Sequence, residues 1–245
     1  MIYVGCCGIP GGLKKYAEEF KVVEINRTFY KLPKIETVEK WRSLVPKDFT
    51  FCVKCFQGVT HTVKSPTWRK SGFKTEEIER LEGKVGYLKP TKEVFEFWNK
   101  TLSVCKALKA KVCLIQLPSS FKENEENVKN AIEFFSKIKT NDVRIALELR
   151  GWSEEGFSSI CEKFDLAEVV DPLVRLPGYV GSVVYLRLHG SYEGNRINYK
   201  HKYSLEELKE LRNKVTSLKA EDIYVMFNNI FMKDDAKQFL NLLQK

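Results

Sequence analysis

Apolar positions along this chain gather into eight short runs: Ile2–Val4, Val22–Ile25, Thr50–Val53, Val112–Ile115, Ile145–Leu147, Ala167–Val170, Val183–Leu188 and Ile223–Phe227. Between them lie longer stretches with helical spacing. Leu13–Phe20 is short and amphipathic, and Ile35–Leu44 starts after Pro33 and stops before Pro46. Lys92–Leu108 follows Pro90-Thr91 and carries Val94, Phe95, Trp98, Leu102 and Cys105 near one face. Asn124–Ile138 sets Val128, Ile132 and Phe135 at helical intervals. Ser153–Phe164 opens on an N-cap serine with Glu155 in its first turn, and Ser204–Leu218 opens on the capping-box pattern Ser-Leu-Glu-Glu. Lys233–Lys245 closes the chain as a last helix. Strand then helix, repeated, implies a parallel sheet. Eight repeats in 245 residues predict one α/β domain over 1–245, a single (β/α)8 TIM barrel, whose usual size is about 250 residues.

The repeat is uneven twice. Residues 55–91 make a long connection after the third strand, with His61, Pro66, Trp68, Gly72, Gly83 and Gly86, and read as an ordered excursion over the top of the barrel. After the sixth strand, Pro172, Pro177 and Gly178 leave no room for a full helix in 171–182, so an irregular connection is expected there.

Every predicted strand ends in a polar or sulfur-bearing residue. In order these are Cys6/Cys7, Glu24/Asn26, Lys54, Gln116, Glu148/Arg150, Asp171, Arg187/His189 and Asn228/Asn229. In a parallel barrel all eight ends converge on one face, which is where barrel enzymes carry out their chemistry.

Composition changes this picture little. A hydrophobic content of 43% is ordinary for a globular chain. No apolar run approaches the ~20 residues of a membrane span, and the first residues lack a basic segment followed by a signal-type apolar stretch, so a cytoplasmic protein is expected. Seven cysteines cannot all pair, and Cys105, Cys113 and Cys161 sit in apolar surroundings as buried thiols would. Cys52-Val-Lys-Cys55 has knuckle spacing, but on a strand those two side chains point to opposite faces, so plain thiols are expected, with Cys6 near the mouth. The net charge of +9 allows an anionic partner, nucleic acid included. Its lysines are spread along the helices rather than gathered into a block, which suits solvated faces better.

The strand-end motifs carry a resemblance. Val23-Glu-Ile-Asn-Arg-Thr-Phe-Tyr30, Trp41…Pro46…Phe49-Thr-Phe51, Val53-Lys54…Thr60-His61, Gln116-Leu-Pro-Ser-Ser-Phe121, Glu148-Leu-Arg150…Trp152, Arg187-Leu-His-Gly190 and Phe227-Asn-Asn229 appear in that order. With them the chain resembles the YecE-like family, also called the domain-of-unknown-function 72 (DUF72) family. The resemblance covers almost the whole length and implies a TIM barrel, but it assigns no reaction. Two departures stand out: Gly5-Cys-Cys-Gly-Ile-Pro10 lacks the family's early tryptophan, and Asp171-Pro172 shortens an Asp-x-Pro.

Chemistry is therefore read from the residues. Glu24 and Glu148 lie on the second and fifth strands and are expected to face each other across the mouth, as acid/base candidates or as carboxylates neutralised by arginine. Lys54, Arg150 and Arg187 bring positive charge to the same face, suited to phosphate or carboxylate. Asn26, Gln116, Asn228 and Asn229 add hydrogen-bonding amides. His189 shares a strand face with Arg187 and is a third catalytic candidate; His61 can close over substrate from the long loop. Tyr30 and Trp152, with Phe29 and Tyr192, can supply a stacking wall. The expected ligand is small and either anionic or polyhydroxylated, as a phosphorylated, nucleotide-like or carbohydrate-like compound is, and the expected reaction is hydrolase-like acid/base chemistry without a resident cofactor. Two alternatives stay open: a nucleic-acid binder using the basic surface, and a divalent-metal phosphoesterase with the ion at Glu24, Glu148 and His189.

Overall fold

The computed structural model describes residues 1–194 and 196–244. Among them, ten strands form: β1 (Ile2–Cys7), β2 (Val22–Ile25), β3 (Thr50–Lys54), β4 (Val112–Gln116), β5 (Arg144–Glu148), β6 (Ala167–Val170), β7 (Val183–Leu188), β8 (Ser191–Glu193), β9 (Arg196–Asn198) and β10 (Asp222–Phe227). All but β8 and β9 close into a parallel barrel in the order β1-β10-β7-β6-β5-β4-β3-β2. The eight expected strands are these eight, each extended by up to three residues at its ends. The chain is a TIM barrel.

Helices α1 (Leu13–Glu19), α2 (Arg27–Tyr30), α3 (Ile35–Ser43), α4 (Gln57–Thr60), α5 (Thr75–Glu79), α6 (Lys92–Leu108), α7 (Glu125–Lys137), α8 (Glu154–Phe164), α9 (Leu205–Ser217) and α10 (Met232–Leu243) surround it. Their starts follow from local chemistry. The side chains of Thr91, Asn124, Ser153 and Ser204 accept hydrogen bonds from the backbone N–H groups of Val94, Asn127, Gly156 and Glu207. Ser204 and Glu207 complete the capping box that the sequence announces.

Strand alternation divides the core in two. Outward residues such as Val23, Phe51, Val53, Cys113, Ile115, Leu147, Leu186 and Val225 pack against the helices. Inward residues Val22, Cys52, Leu114, Ala146, Val169, Tyr185, Tyr224 and Met226 fill the barrel. Tyr3, Tyr224 and Tyr185 stack inside it, with ring centres 4.9 and 5.6 Å apart. The plug is solid below the mouth, so ligand access is confined to the upper end.

Alternation also corrects one expectation. Cys6 does not line the mouth: it packs in the outer cluster with its Sγ toward the Met232 carbonyl, and Cys7 faces inward instead. Cys52 and Cys55 lie in the inner and outer clusters, as their spacing predicts, and all seven cysteines are free.

The long connection folds into α4, a 3₁₀ turn at Pro66–Lys70 and α5 before α6 begins. Its return strand of chain touches down at Gly86, where φ is +80° and an added Cβ would lie 2.4 Å from the backbone of His61 and Thr62. No helix follows β6. After β7, the antiparallel β8–β9 hairpin rises beside the mouth, a feature too short and polar to register as strands in the sequence.

Candidate active site

The inward positions of the barrel continue upward into a polar layer. Cys7 pairs in register with Glu24, Gln116 with Glu148, and Met226 with Arg187, so each pair of inward side chains stands side by side on neighbouring strands. At its centre lies Arg187. Its Nη2 donates to Glu24 Oε1 at 2.9 Å and its Nη1 to Glu148 Oε2 at 2.6 Å. Tyr185 donates its hydroxyl to the other Glu24 oxygen at 2.8 Å. Arg150 closes the chain of charges, with Nε and Nη2 at 2.7 and 2.6 Å from Glu148 Oε1.

The two glutamates therefore do not face each other across an open mouth, because the Arg187 guanidinium lies between them. Glu24 and Arg187 are 0% and 1% exposed, so both belong to the floor. Burial opposes the charge on Glu148, but Arg150 and Arg187 outweigh it and hold the carboxyl well below its usual range. A carboxylate so held neither donates a proton near neutral pH nor accepts one readily.

His189 forms the wall above. Asn228 Nδ2 lies 3.0 Å from its Nδ1, and its Nε2 is 3.5 Å from Arg150 Nη2 and 3.7 Å from Glu148 Oε1. Both the Asn228 amide and the Arg150 guanidinium present N–H donors to the ring, and a neutral imidazole accepts on only one nitrogen, so the two contacts compete for its single lone pair. Burial, with Arg187 and Arg150 nearby, lowers the imidazolium pKa to about 3, so the ring is neutral at physiological pH. Asp171 receives the His189 backbone N–H on Oδ2 at 3.2 Å and that of Leu173 on Oδ1 at 3.1 Å. Burial raises its pKa to about 6.

On the opposite side, the half-buried Lys54 donates from Nζ to Gln116 Oε1 at 2.9 Å and lies 4.4 Å from the centre of the Phe29 ring. Gln116 is fixed in turn by donating from Nε2 to the Leu117 carbonyl at 2.9 Å. Burial, then the Arg187 charge, lowers the Lys54 pKa to about 8. His61, edge-on to Phe29 and within 2.8 Å of the Thr60 hydroxyl, is lowered to about 3 by burial and by Lys54. Beside this layer a cleft of about 680 Å³ opens between the loops after β4, β5, β6 and β7. Glu148, Arg150, Asp171 and His189 line it, together with Lys122 and Tyr192.

Of the expected site residues, Glu148, Arg150, Asp171, His189 and Tyr192 line that cleft and the others do not. Asn26 donates to the Cys7 carbonyl at 2.9 Å. Asn229 faces α10 rather than the mouth, its Nδ2 reaching Asp235 and the His201 carbonyl at 2.6 and 2.8 Å. Trp152 stacks on Phe121 at 5.7 Å, and Tyr30 lies under Lys70. Lys122 and Ser119 also line the cleft from the β4–α7 loop; Ser119 falls within the Gln116–Phe121 motif, whereas nothing in the strand pattern marks Lys122, which lies past the end of β4. Nor do the residues offer a metal cradle. Among the described residues no group of three or more His, Cys, Asp and Glu is set to hold an ion, and Arg187 occupies the space between the two glutamates that would share one.

Comparison with known proteins agrees with this architecture. The sequence profile for "Protein of unknown function DUF72" matches residues 7–245. The UPF0759 protein YunF of Bacillus subtilis (strain 168) is 25% identical over 264 residues, spanning 94% of this chain and 86% of its own. A solved DUF72 family protein from Enterococcus faecalis V583 superposes with a TM-score of 0.72 at 22% identity, covering 100% of this chain and 98% of that one. More distantly, a D-psicose 3-epimerase solved in the presence of D-fructose gives a TM-score of 0.56 at 9% identity, over 95% of this chain and 91% of that one. At that identity the likeness is one of fold alone.

Proposed function

This chain belongs to the DUF72 family of proteins of unknown function, and on that premise we propose that it is an acid–base enzyme for a small anionic, polyhydroxylated ligand bound at the C-terminal mouth of the barrel. The observation that carries this reading is a cation at the mouth without a carboxylate partner. Two glutamates meet three cations at the centre of the mouth, and both glutamates are taken up by Arg187 and Arg150. Lys54 is left with an amide and an aromatic face for company. Asp171 adds a third carboxylate, ionised at neutral pH, but its oxygens accept from the backbone N–H groups of Leu173 and His189 rather than from Lys54.

In this reading Arg150 holds the anion. It is the exposed member of the network, with 31% of its side chain accessible, and Glu148 fixes its orientation. Neutral His189 offers its Nε2 proton to an oxygen that gains negative charge, a role for which an uncharged imidazole is well matched. Donation from Asn228 to Nδ1 favours that tautomer once a ligand draws Arg150 away from Nε2, and Gln116 and Lys54 orient hydroxyl groups. Hydrolysis by a facing carboxylate pair is not retained, because Glu24 is sealed beneath Arg187.

A thermal-shift panel of sulfate, inorganic phosphate, sugar phosphates, sugar acids and neutral sugars tests the reading. Anionic polyols are expected to raise the melting temperature of the wild type and to lose that effect in Arg150→Gln. A panel in which neutral sugars stabilise as well as anions, or in which nothing does, would overturn it.

A further inference from the structure

Lys54 is an unusual lysine for a protein surface or a barrel interior. It stands at the C-terminal end of β3, at the rim of the layer that closes the barrel, and keeps part of its side chain accessible. Among the described residues no carboxylate pairs with it. Glu24 and Glu148, the two acids whose charge it feels, are bound to Arg187 and Arg150. Its neighbours are the Gln116 amide oxygen, the face of Phe29, two arginines and the neutral His61 ring. Thr28 fixes the strand end below it by donating to the Lys54 carbonyl at 2.7 Å. An amine without a counter-ion, beside other cations and against an aromatic wall, is the environment in which lysine serves as a nucleophile toward carbonyl compounds.

We propose that Lys54 is such a nucleophile, its Nζ forming an imine with the carbonyl carbon of a small anionic aldehyde or ketone held in the barrel mouth. This rests on the anion-binding reading above and narrows its substrate class to carbonyl compounds. In the first step the amine nitrogen bonds to the carbonyl carbon, and the carbonyl oxygen becomes a hydroxyl. That oxygen then leaves as water with both hydrogens of the original amine, and a C=N bond replaces the C=O bond. Addition of water reverses the sequence and restores the free lysine. No electrons are gained or lost. The low ammonium pKa of about 8 supplies the free amine required, about a tenth of the population at pH 7. The imine is an electron sink, so the bond it activates is one on the carbon next to the former carbonyl.

The test is reductive trapping of the intact chain at pH 7. Dihydroxyacetone phosphate and pyruvate, each with sodium cyanoborohydride, are the probes, and adducts are located by peptide mapping. The expected result is one adduct per chain on Lys54, at about tenfold or more the labelling of any other lysine, as its lowered pKa allows at neutral pH. The adduct should vanish in Lys54→Met and diminish in wild type when sulfate competes. Labelling spread evenly over the lysines, or absent from Lys54, overturns the proposal without needing the variant to fold. A sulfate-induced thermal shift in the same preparation separates the two failures. A shift without a Lys54 adduct sinks the imine and leaves anion binding standing, whereas no shift sinks the anion-binding reading itself.

Discussion

Arg187 is the residue on which the polar mouth depends. It neutralises Glu24 and Glu148 at once, 1% exposed, and its removal leaves two buried carboxylates facing each other. Arg187→Met is expected to cost about 3–5 kcal/mol in urea unfolding, the usual penalty for stripping one partner from a buried pair. A loss below about 1 kcal/mol would show that water already reaches the glutamates. Titration gives two further expectations. His189 and His61 have folded pKa values near 3 against 6.5, so the unfolded chain binds more protons between those limits. Stability from these groups is complete above pH 6.5 and is lost as pH falls toward 3; Asp171, raised from 3.8 to about 6, works the other way over part of that window. His189→Gln should flatten the acid limb of a stability–pH curve, and an unchanged limb would place the protonation elsewhere. Sulfate affinity should fall in two steps as pH rises, near 6 where Asp171 ionises and near 8 where Lys54 loses its proton. At this scale the sequence exposed most of the cast, because strand-end position and alternation put Lys54, Gln116, Glu148, Arg187 and Asn228 on the inward face. It did not tell floor from wall. Glu24 and Glu148 look equivalent in sequence, and only the placement of Arg187 between them, with Tyr185 beneath, buries one and leaves the other at the cleft.

Among the elements, the excursion after β3 covers the Lys54 side of the mouth, opposite the cleft. It carries His61, which packs on Phe29 beside Lys54, and it is pinned where Gly86 donates to the Gly58 carbonyl at 2.8 Å. An alanine at Gly86 would need a positive φ and would drive its Cβ into the His61 backbone. Gly86→Ala is expected to destabilise by more than about 1 kcal/mol and to weaken ligand binding in parallel. A stable variant with lowered affinity would mean that the loop moves independently of the barrel. The capped helices α6 to α9 were legible because Thr91, Asn124, Ser153 and Ser204 announce their starts. The four- and five-residue helices α2, α4 and α5 were not, since they are too short to show a period and are held by tertiary contacts. The β8–β9 hairpin escaped for the same reason. Its base depends on Gly190, just before β8, where φ is +110° and a Cβ would meet the Asn198 carbonyl at 2.3 Å.

For the molecule as a whole, the barrel was readable because eight apolar runs and eight polar ends agree on one topology. The +9 charge was not readable in the same way. On the folded surface many lysines sit beside acids: Lys21 with Asp48, Lys92 with Glu96, Lys137 with Glu133, Lys214 with Glu210, and Lys233 and Lys237 with Glu19. Pairs of this kind count against a continuous basic stripe, so duplex DNA is expected to bind weakly and to dissociate as salt rises. No helix among the described residues is long and apolar enough to cross a membrane. What sets this chain apart from a plain scaffold is the pair of cations at its mouth, the accessible Arg150 and the carboxylate-free Lys54. Calorimetric titration of sulfate at pH 6 into the wild type and Arg150→Gln tests it most directly. One site per chain in the wild type, weakened about tenfold or more in the variant, is the predicted result, since a hydrogen-bonded charge contact contributes about 1.5–3 kcal/mol. Equal affinity in the two proteins, or no binding to either, would contradict it.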